Sequence, residues 1–345
     1  MPVIRTFYSP NHAAHYPPLE FLHGRHVPYF EMPRRIDNLR QAIEGDARFA
    51  LEIPPLTIPR EAITAAHDAA MVDYLEDLAN HVQEIIRRDF SIYHRGDQLT
   101  GDEYYYESNF PKRARSDAPG RRFYLYDTVS PVGKHTFDAA LHAANLAYHG
   151  ALALRDGERL AYALCRPPGH HAGRDFMGGY CYLNNAAIAA YALLDMGKVA
   201  VLDVDYHHGN GTQDIFEDEP RVLFASIHAD PLQDYPYYSG FADDHAGMIN
   251  LPLPHGSGEA AYLTALHTAL AGIQAFGPAA LVVSLGFDTF NGDPISAFQL
   301  DIASYEKIGR QIAALNLPTL YVQEGGYAVD QLGAMALSLF TGAIG

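Results

Sequence analysis

The chain has 345 residues, no tryptophan and only two cysteines, Cys165 and Cys181. So few cysteines do not form a disulfide framework, and both lie in apolar or aromatic surroundings, so we expect reduced, buried thiols that serve packing. No apolar run approaches the roughly 18 residues needed to cross a bilayer, and residues 1–11 lack a charged segment followed by an apolar one. We therefore expect a cytoplasmic protein without a membrane span or signal peptide.

Basic residues are also scarce, with 24 Lys and Arg against 41 Asp and Glu, which gives a formal net charge of −17. This balance argues against nucleic-acid binding and favours a cationic or neutral ligand, although acidity also serves solubility alone. Hydrophobic residues make up 48% of the chain and charged residues 19%. That composition is sufficient for a large core and is unlike that of disordered chains.

Short apolar runs alternate with helical patterns, which is typical of a parallel α/β sheet. One helical pattern places Ile308, Ile312 and Leu315 in a stripe that would pack on such a sheet. The predicted strands are Leu160–Leu164, Val199–Val204, Val222–Ile227, Leu281–Leu285 and Thr319–Val322. The predicted helices are Thr136–Leu154, Asn185–Met196, Glu259–Phe276, Ser304–Leu315 and Val329–Thr341.

One segment, from about 87 to 122, interrupts this alternation. It is polar, rich in tyrosine, glycine and charge, and shows no apolar periodicity. A structureless segment of this length inside a compact domain is usually functional or forms an interface. We therefore expect a single domain over residues 1–345 with an inserted loop at about 87–122, in preference to two domains.

The side chains suited to chemistry follow four of the predicted strands. Open parallel sheets bind ligands outside the carboxyl ends of their strands, so this placement is itself informative. Four strand ends that carry His, Asp and Tyr beside glycine are difficult to explain as core alone. The segments are Arg166–His171, Asp203–Gly211, Gly286–Asp288 and Glu324–Tyr327.

Asp205 and His207 lie two residues apart, so in an extended segment both side chains point the same way and can hold one metal ion. Asp288, at the end of another strand, can supply a third ligand. Two carboxylates and an imidazole roughly neutralise a divalent ion and leave room for water and a substrate carbonyl. An isolated Asp-x-His pair is more often structural, but the other strand ends favour the metal interpretation.

The adjacent pair His170 and His171 is hard to justify by packing, because burying two imidazoles is costly unless each is paired. Near a metal ion they can transfer protons, one neutral imidazole taking the proton and returning it to the leaving amine. Asp203 and Asn210 are candidates to orient the two rings through their other nitrogens. Tyr327, which follows two glycines, can place its hydroxyl on the carbonyl oxygen, although a packed aromatic is the simpler interpretation.

Taken together, these segments resemble the histone deacetylase superfamily, and most of all its bacterial acetylpolyamine amidohydrolases. The resemblance runs from about Asp127 to the C terminus, while the N-terminal part fits more loosely. It implies an arginase/deacetylase-like α/β fold with a mostly parallel central sheet flanked by helices. The matching segments are, in order, Arg-Pro-Pro-Gly-His-His, Gly-Gly-Tyr-Cys, Asp-Val-Asp-Tyr-His-His-Gly-Asn-Gly-Thr-Gln, Ser-Leu-Gly-Phe-Asp and Glu-Gly-Gly-Tyr.

The resemblance also assigns roles. It implies His171 as the general base and acid, His170 as its electrostatic partner and Tyr327 as the electrophilic hydroxyl. Asn210 stands where the best-known histone deacetylases carry Asp, which changes the basicity of one histidine. One catalytic zinc per chain, with iron as the alternative metal, is implied on Asp205, His207 and Asp288. Structural potassium is implied at an inner site that matches Asp203, Asp205, His207, Ser226 and Ile227.

For the substrate, the resemblance matches Tyr180 and Tyr235 to aromatic walls that enclose an extended aliphatic chain. Glu20 aligns with an acidic residue that contacts the ammonium group of the substrate, and Asp117 or Asp127 can add another. Each of these carboxylates could equally be a solvated surface group. The inserted loop fits the relatives' homodimer interface, which narrows the entrance and excludes folded proteins.

We therefore predict a zinc-dependent deacetylase of small cationic acetylated amines such as acetylputrescine, acetylcadaverine and acetylspermidine. The alternative within the same chemistry is an acetyl-lysine protein deacetylase. An arginase-like dimetal hydrolase would need more metal ligands than the single set found. A catalytically silent binder of acetylated ligands would be expected to lose Tyr327 or the histidine pair.

Overall fold

The computed structural model describes residues 3–22, 25–93, 104–105, 124–243 and 247–345, with the backbone alone over 83–93 and 104–105. At its centre lies an eight-stranded sheet in which every neighbouring pair of strands is parallel. Helices flank this sheet, so the expected α/β fold with a mostly parallel sheet is confirmed.

Eight strands form the central sheet, and two small antiparallel sheets pair β2 with β3 and β5 with β6. In chain order the described strands are β1 (Ile4–Phe7), β2 (Leu19–Leu22), β3 (Arg25–Pro28), β4 (Phe49–Glu52), β5 (Tyr104–Tyr105), β6 (Val132–Gly133), β7 (Leu160–Ala163), β8 (Val199–Asp203), β9 (Val222–Ala229), β10 (Ile249–Leu253), β11 (Ala280–Leu285) and β12 (Thr319–Gln323). The order across the central sheet is β10-β9-β8-β11-β12-β7-β1-β4.

The helices connect these strands and cover both faces of the sheet. The described α-helices are α1 (Arg34–Glu44), α2 (Arg60–Ala66), α3 (Ala69–Tyr93), α4 (Thr136–Arg155), α5 (Asn185–Leu193), α6 (Asn210–Phe216), α7 (Glu259–Phe276), α8 (Ile302–Ala313) and α9 (Leu332–Ile344). Among them none is both long and apolar enough to cross a membrane.

Two hydrophobic cores lie on opposite faces of the sheet. Along β8, Val199 and Val201 point into the core that contains α4 and α5, while Ala200 and Leu202 point into the core that contains α1, α7, α8 and α9. A strand buried on both faces carries an unbroken apolar run, which is why sequence pattern locates such strands well. The five predicted strands are confirmed, with ends that differ by at most two residues.

In the central sheet, sequence pattern missed the outer strands β1, β4 and β10. In β1 and β4, Arg5 and Glu52 form an ion pair of 2.7 Å between neighbouring strands, so these runs lack continuous apolar character. The predicted loop at about 87–122 also differs from the structure at its start, because α3 continues through residues 87–93. Residues 94–103 and 106–123 lie outside the described part of the chain.

Helices α8 and α9 approach each other closely at two glycines. A Cβ atom on Gly309 would collide with the carbonyl oxygen of Leu339, and one on Gly342 would collide with the carbonyl oxygen of Glu306. This contact fixes α9, which follows the loop at the end of β12.

We expect Gly309→Ala to lower the free energy of unfolding by about 1–3 kcal/mol, because overpacking forces the two helices apart. Denaturant unfolding followed by circular dichroism measures the change. Gly45→Ala is the matched control, since its φ of −79° suits any residue and its nearest neighbouring atom would lie 3.6 Å from the new Cβ. Equal destabilisation by both substitutions would contradict the proposed helix contact.

Candidate active site

The four segments singled out in the sequence meet at the middle of the sheet. They follow β7, β8, β11 and β12, which are adjacent in the order β8-β11-β12-β7 although β9 and β10 intervene along the chain. From β8 the chain continues outward to β9 and β10, and it then returns to place β11 on the other side of β8. Such a reversal opens a crevice at the carboxyl ends of the two strands, where ligands bind.

Three side chains with atoms able to ligate a metal ion converge in this crevice. Ligand atoms of Asp205, His207 and Asp288 all lie within 4.8 Å of one another. The Nδ1 atom of His207 is 3.4 Å from Oδ1 of Asp205 and 3.2 Å from Oδ2 of Asp288. Burial and the charge of Asp205 raise the pKa of Asp288 to about 6. A divalent cation would relieve this repulsion, so the donor set fits a metal ion.

Backbone groups hold the two carboxylates in place. The amide of His207 donates to Oδ1 of Asp205 at 2.9 Å, and the amide of Gly325 donates to Oδ2 at 2.8 Å. The amide of Tyr206 donates to Oδ1 of Asp288 at 2.9 Å. A Cβ on Gly325 would lie against the Oδ2 atoms of both Asp288 and Asp205. The space between the carboxylates therefore depends on glycine at 325.

The adjacent histidines differ in their partners. Nδ1 of His171 lies 2.7 Å from Oδ1 of Asn210, and because an amide oxygen only accepts, Nδ1 is the donor and Nε2 carries the free lone pair. Burial and the neighbouring His170 lower the pKa of His171 well below its ordinary value. His170 donates to Oδ2 of Asp203 at 3.0 Å. Burial opposes its charge, but the carboxylates of Asp205 and Asp203 raise the pKa of His170 to about 10.

Tyr327 is held by contacts to its backbone and its ring. Its amide donates to Oδ2 of Asp293 at 2.6 Å, and the guanidinium of Arg35 lies 4.8 Å from its ring centroid. Arg35 also donates to the carbonyl oxygens of Gly326 and Glu324, both at 2.6 Å. These bonds shape the loop after β12 and direct the tyrosine toward the crevice.

Arg35 belongs to a buried ionic group that sequence analysis missed. The carboxylate of Glu31 lies 2.7 Å from Nη1 of Arg35 and 2.9 Å from Nε of Arg166, and all three side chains are fully buried. In the sequence Arg35 cannot be told from its exposed neighbour Arg34, because both precede the apolar stripe of α1. Asp293 was missed as well, since Gly-Asp-Pro has the composition of an ordinary turn.

The predicted aromatic walls lie on two sides of the crevice. Tyr180 contacts the ring of Tyr327 at a centroid distance of 5.7 Å. Tyr235 stands edge-on to His171 at 4.9 Å and to His207 at 6.2 Å. One tyrosine therefore adjoins the loop after β12, and the other adjoins the histidines that follow β7 and β8.

Glu20, on β2, is buried beside Tyr180. Neither carboxylate oxygen has a hydrogen-bond partner of good geometry in the described residues. Burial raises the pKa of Glu20 to about 7. Interactions with the Tyr180 hydroxyl and the Phe30 backbone lower this pKa but do not offset the effect of burial. The structure therefore places a buried acidic group, not a solvated one, next to a wall of the crevice.

The two other acidic candidates differ from Glu20. Asp127 accepts hydrogen bonds from the amides of Gly179 at 2.6 Å and Val129 at 3.1 Å, and from the hydroxyl of Tyr235 at 2.9 Å. Its carboxylate thus joins two loops of this chain. Asp117 lies outside the described residues.

The predicted potassium ligands occupy one end of two neighbouring strands. Asp203 on β8 and Ser226 on β9 are direct partners in the sheet, and Ile227 follows Ser226. Oδ1 of Asp203 accepts from the amide of Asp205 at 3.1 Å. The structure therefore brings the three residues together behind the crevice.

A histone deacetylase domain matches residues 29–343, so the chain belongs to the histone deacetylase family and is a hydrolase of that family. The chain is 43% identical to acetylpolyamine amidohydrolase 1 of Pseudomonas aeruginosa over 98% of each chain. It is 37% identical to the acetylpolyamine amidohydrolase of Mycoplana ramosa over 99% of this chain and 100% of that protein.

A solved structure extends the comparison to the whole fold. The acetylpolyamine aminohydrolase from Burkholderia pseudomallei superposes with a TM-score of 0.89 at 39% identity, covering 99% of this chain and 98% of that one. The similarity covers nearly the whole chain, so it begins well before Asp127, where the resemblance was expected to start. Membership of the family implies a metal ion, in agreement with the donor set.

We expect Gly325→Ala to remove the metal although it leaves every donor in place, because the new methyl group would occupy the space between the two carboxylates. Asp205→Ala, His207→Ala and Asp288→Ala should each abolish metal binding by removing a ligand. Elemental analysis of the purified proteins measures the metal content.

Gly258→Ala is the control for the glycine substitution, since the nearest atom to its new Cβ would be 3.8 Å away. It should retain metal at the level of the unmodified protein. Full metal content in Gly325→Ala would show that the ion binds elsewhere.

Proposed function

We propose that the chain is a zinc-dependent amidohydrolase that removes acetyl groups from acetylated polyamines or small acetylated diamines. The observation that carries this proposal is the buried carboxylate of Glu20 beside Tyr180, which has no cationic partner among the described residues. Burying a carboxylate without a countercharge is costly, and the distal ammonium group of an acetylpolyamine would supply that charge. The names of relatives that match over nearly their full length support the same substrate class.

Asp205, His207 and Asp288 would hold zinc, because carboxylate and imidazole donors suit this ion, with iron as the alternative. When bound, the ion polarises the acetyl carbonyl and makes water a nucleophile near neutral pH. Asp203, Ser226 and Ile227 would contribute to a structural potassium site.

The chain's own residues supply the proton transfers. His171 accepts the proton of the attacking water at Nε2 and donates it to the leaving amine as the C–N bond breaks. His170, held charged by Asp203 and Asp205, stabilises the negative charge that develops in the transition state. Tyr327 donates a hydrogen bond from its hydroxyl to the carbonyl oxygen as that oxygen gains charge.

We propose one deacetylase domain over residues 1–345, a cytoplasmic location and a homodimer formed through the inserted segment. Within that segment, the described residues Tyr104–Tyr105 pair with Val132–Gly133 in a small antiparallel sheet, which ties the segment to the body of the protein. A dimer contact there would narrow the entrance to a size that suits a thin, extended substrate.

We expect His171→Ala and Tyr327→Phe to retain metal but to lose roughly 10²–10⁴-fold in kcat, the range for a general base or an oxyanion donor. Steady-state turnover of acetylputrescine, together with elemental analysis, separates loss of catalysis from loss of metal. A metal-free His171→Ala protein would mean that this histidine is a ligand.

We expect Glu20→Gln to reduce kcat/KM on acetylpolyamines by an amount equivalent to about 1–3 kcal/mol of transition-state stabilisation. The substitution keeps the shape of the side chain and removes the charge that pairs with the ammonium group. Neutral acetylated amides of similar length should lose much less. Added salt should weaken the preference of the unmodified enzyme for the cation.

Glu61→Gln removes the same charge from an exposed position on α2 and should leave both activities unchanged. Equal losses on cationic and neutral amides in Glu20→Gln would show that Glu20 shapes the hairpin and does not recognise charge. A higher kcat/KM on an acetyl-lysine peptide than on every acetylpolyamine would instead support a protein deacetylase.

A further inference from the structure

The proposed base His171 is oriented by an amide, and an amide has two different ends. With Oδ1 of Asn210 toward His171, the proton of the imidazole sits on Nδ1 and Nε2 is free to accept. If the amide were reversed, its NH2 group would face Nδ1 and the proton would move to Nε2. In that tautomer His171 cannot take a proton from water. An aspartate would have no such ambiguity, because both of its oxygens accept.

A chain of hydroxyl groups decides which way the amide points. Nδ2 of Asn210 donates to the hydroxyl of Tyr238 at 2.8 Å and, at a longer 3.5 Å, toward that of Tyr126. The hydroxyl of Tyr126 is hydrogen-bonded to that of Tyr235, and Tyr235 donates to Oδ2 of Asp127 at 2.9 Å.

The direction of this chain is set at its far end. A carboxylate has no proton to give, so the single hydroxyl proton of Tyr235 is committed to Asp127. Tyr235 must therefore accept from Tyr126, which commits the proton of Tyr126 as well. Tyr126 can then only accept from Asn210, and an amide oxygen turned toward it would face another oxygen without a proton between them.

Two features of the surroundings fit this direction. Asp127 also accepts from the amides of Gly179 and Val129, so its carboxylate is held as an acceptor by fixed donors. The hydroxyl of Tyr238 lies against that of Tyr126 as well as the amide of Asn210, so with the proton of Tyr126 committed it donates to Tyr126 and accepts from Asn210. The preferred orientation of the Asn210 amide therefore comes from Tyr126 and, behind it, from Tyr235 and Asp127.

We propose that Asp127 is a positioning residue that sets the tautomer of His171 through Tyr235, Tyr126 and Asn210. Asp127 touches no reacting atom in this scheme. It acts by giving the chain of hydrogen bonds one direction, which ends with a free lone pair on Nε2 of His171. The inference rests on the proposed role of His171 as the base, but the tautomer itself is measurable without substrate.

The test removes one hydroxyl. Tyr235→Phe keeps the ring against His171 but disconnects Tyr126 from Asp127, so both amide orientations become accessible. We expect the metal-loaded variant to lose about two- to tenfold in kcat, the factor that one neutral hydrogen bond contributes, with KM unchanged. Tyr237→Phe, the same change on an exposed tyrosine of the same loop, should leave both constants unaltered.

A second measurement is independent of turnover. Nuclear magnetic resonance of protein labelled with ¹⁵N-histidine distinguishes the two tautomers, and the signals of His171 are identified by their loss in His171→Gln. The unmodified protein should show His171 protonated at Nδ1 alone, while Tyr235→Phe should add a population protonated at Nε2. A single Nδ1 tautomer in Tyr235→Phe would overturn the proposal, whether or not acetylpolyamines are substrates.

The Asn210→Asp background separates positioning from substrate contact. Aspartate accepts from His171 in either orientation, so Tyr235→Phe should there cost less than twofold in kcat and leave one tautomer. If the hydroxyl of Tyr235 acted by contacting the substrate, the loss would persist in this background and the proposal would fail. Inactivity of every variant on acetylpolyamines, with the expected tautomers, would contradict the proposed function alone.

Discussion

The arrangement of this site depends on the mutual repulsion of buried carboxylates. Carboxylate oxygens of Asp205 and Asp288 lie within 4.8 Å of each other. A third carboxylate, that of Asp203, comes two residues before Asp205. Their charges account for the different states of the neighbouring histidines. His170 donates to Asp203 and is held as a cation, whereas Nδ1 of His171 donates to an amide oxygen, and burial and the neighbouring cation keep His171 neutral. Burying these carboxylates is possible because positive charge compensates them. A metal cation between Asp205 and Asp288 would supply part of that charge, and the imidazolium of His170 supplies the rest.

The sheet converts distant parts of the sequence into one site. Four adjacent strands end at the same edge, so each needs to supply only a short segment of polar residues. Behind that edge the two apolar cores keep the strands rigid, which holds the donors at fixed separations. The proposed catalytic groups therefore lie on short segments directly after rigid strands, whereas Tyr235, on one wall of the crevice, lies on the longer loop between β9 and β10.

Much of this was predictable because it follows from local pattern. Buried central strands such as β8 carry unbroken apolar runs, and Asp205, His207 and Asp288 stand directly after such runs. What the sequence could not reveal depends on long-range pairing. Arg35 and Glu31 look like ordinary surface charges until the fold places them against Arg166, and Asp127 resembles a surface acid until Tyr235 is seen to donate to it. The end of α3 was assigned to the predicted loop because Arg87, Arg88 and Asp89 introduce charge there, although apolar residues follow at Phe90 and Ile92.

The buried ionic group of Glu31, Arg35 and Arg166 also links the two ends of the chain. Arg35 binds the carbonyl oxygens of Glu324 and Gly326, which lie 289 and 291 residues further along. During synthesis on the ribosome, Arg35 therefore cannot form these hydrogen bonds until almost the whole polypeptide has emerged. The loop that carries Tyr327 acquires its shape only then. A translation product truncated before β12 would keep Asp205, His207 and Asp288 but would lack Tyr327 and its loop altogether.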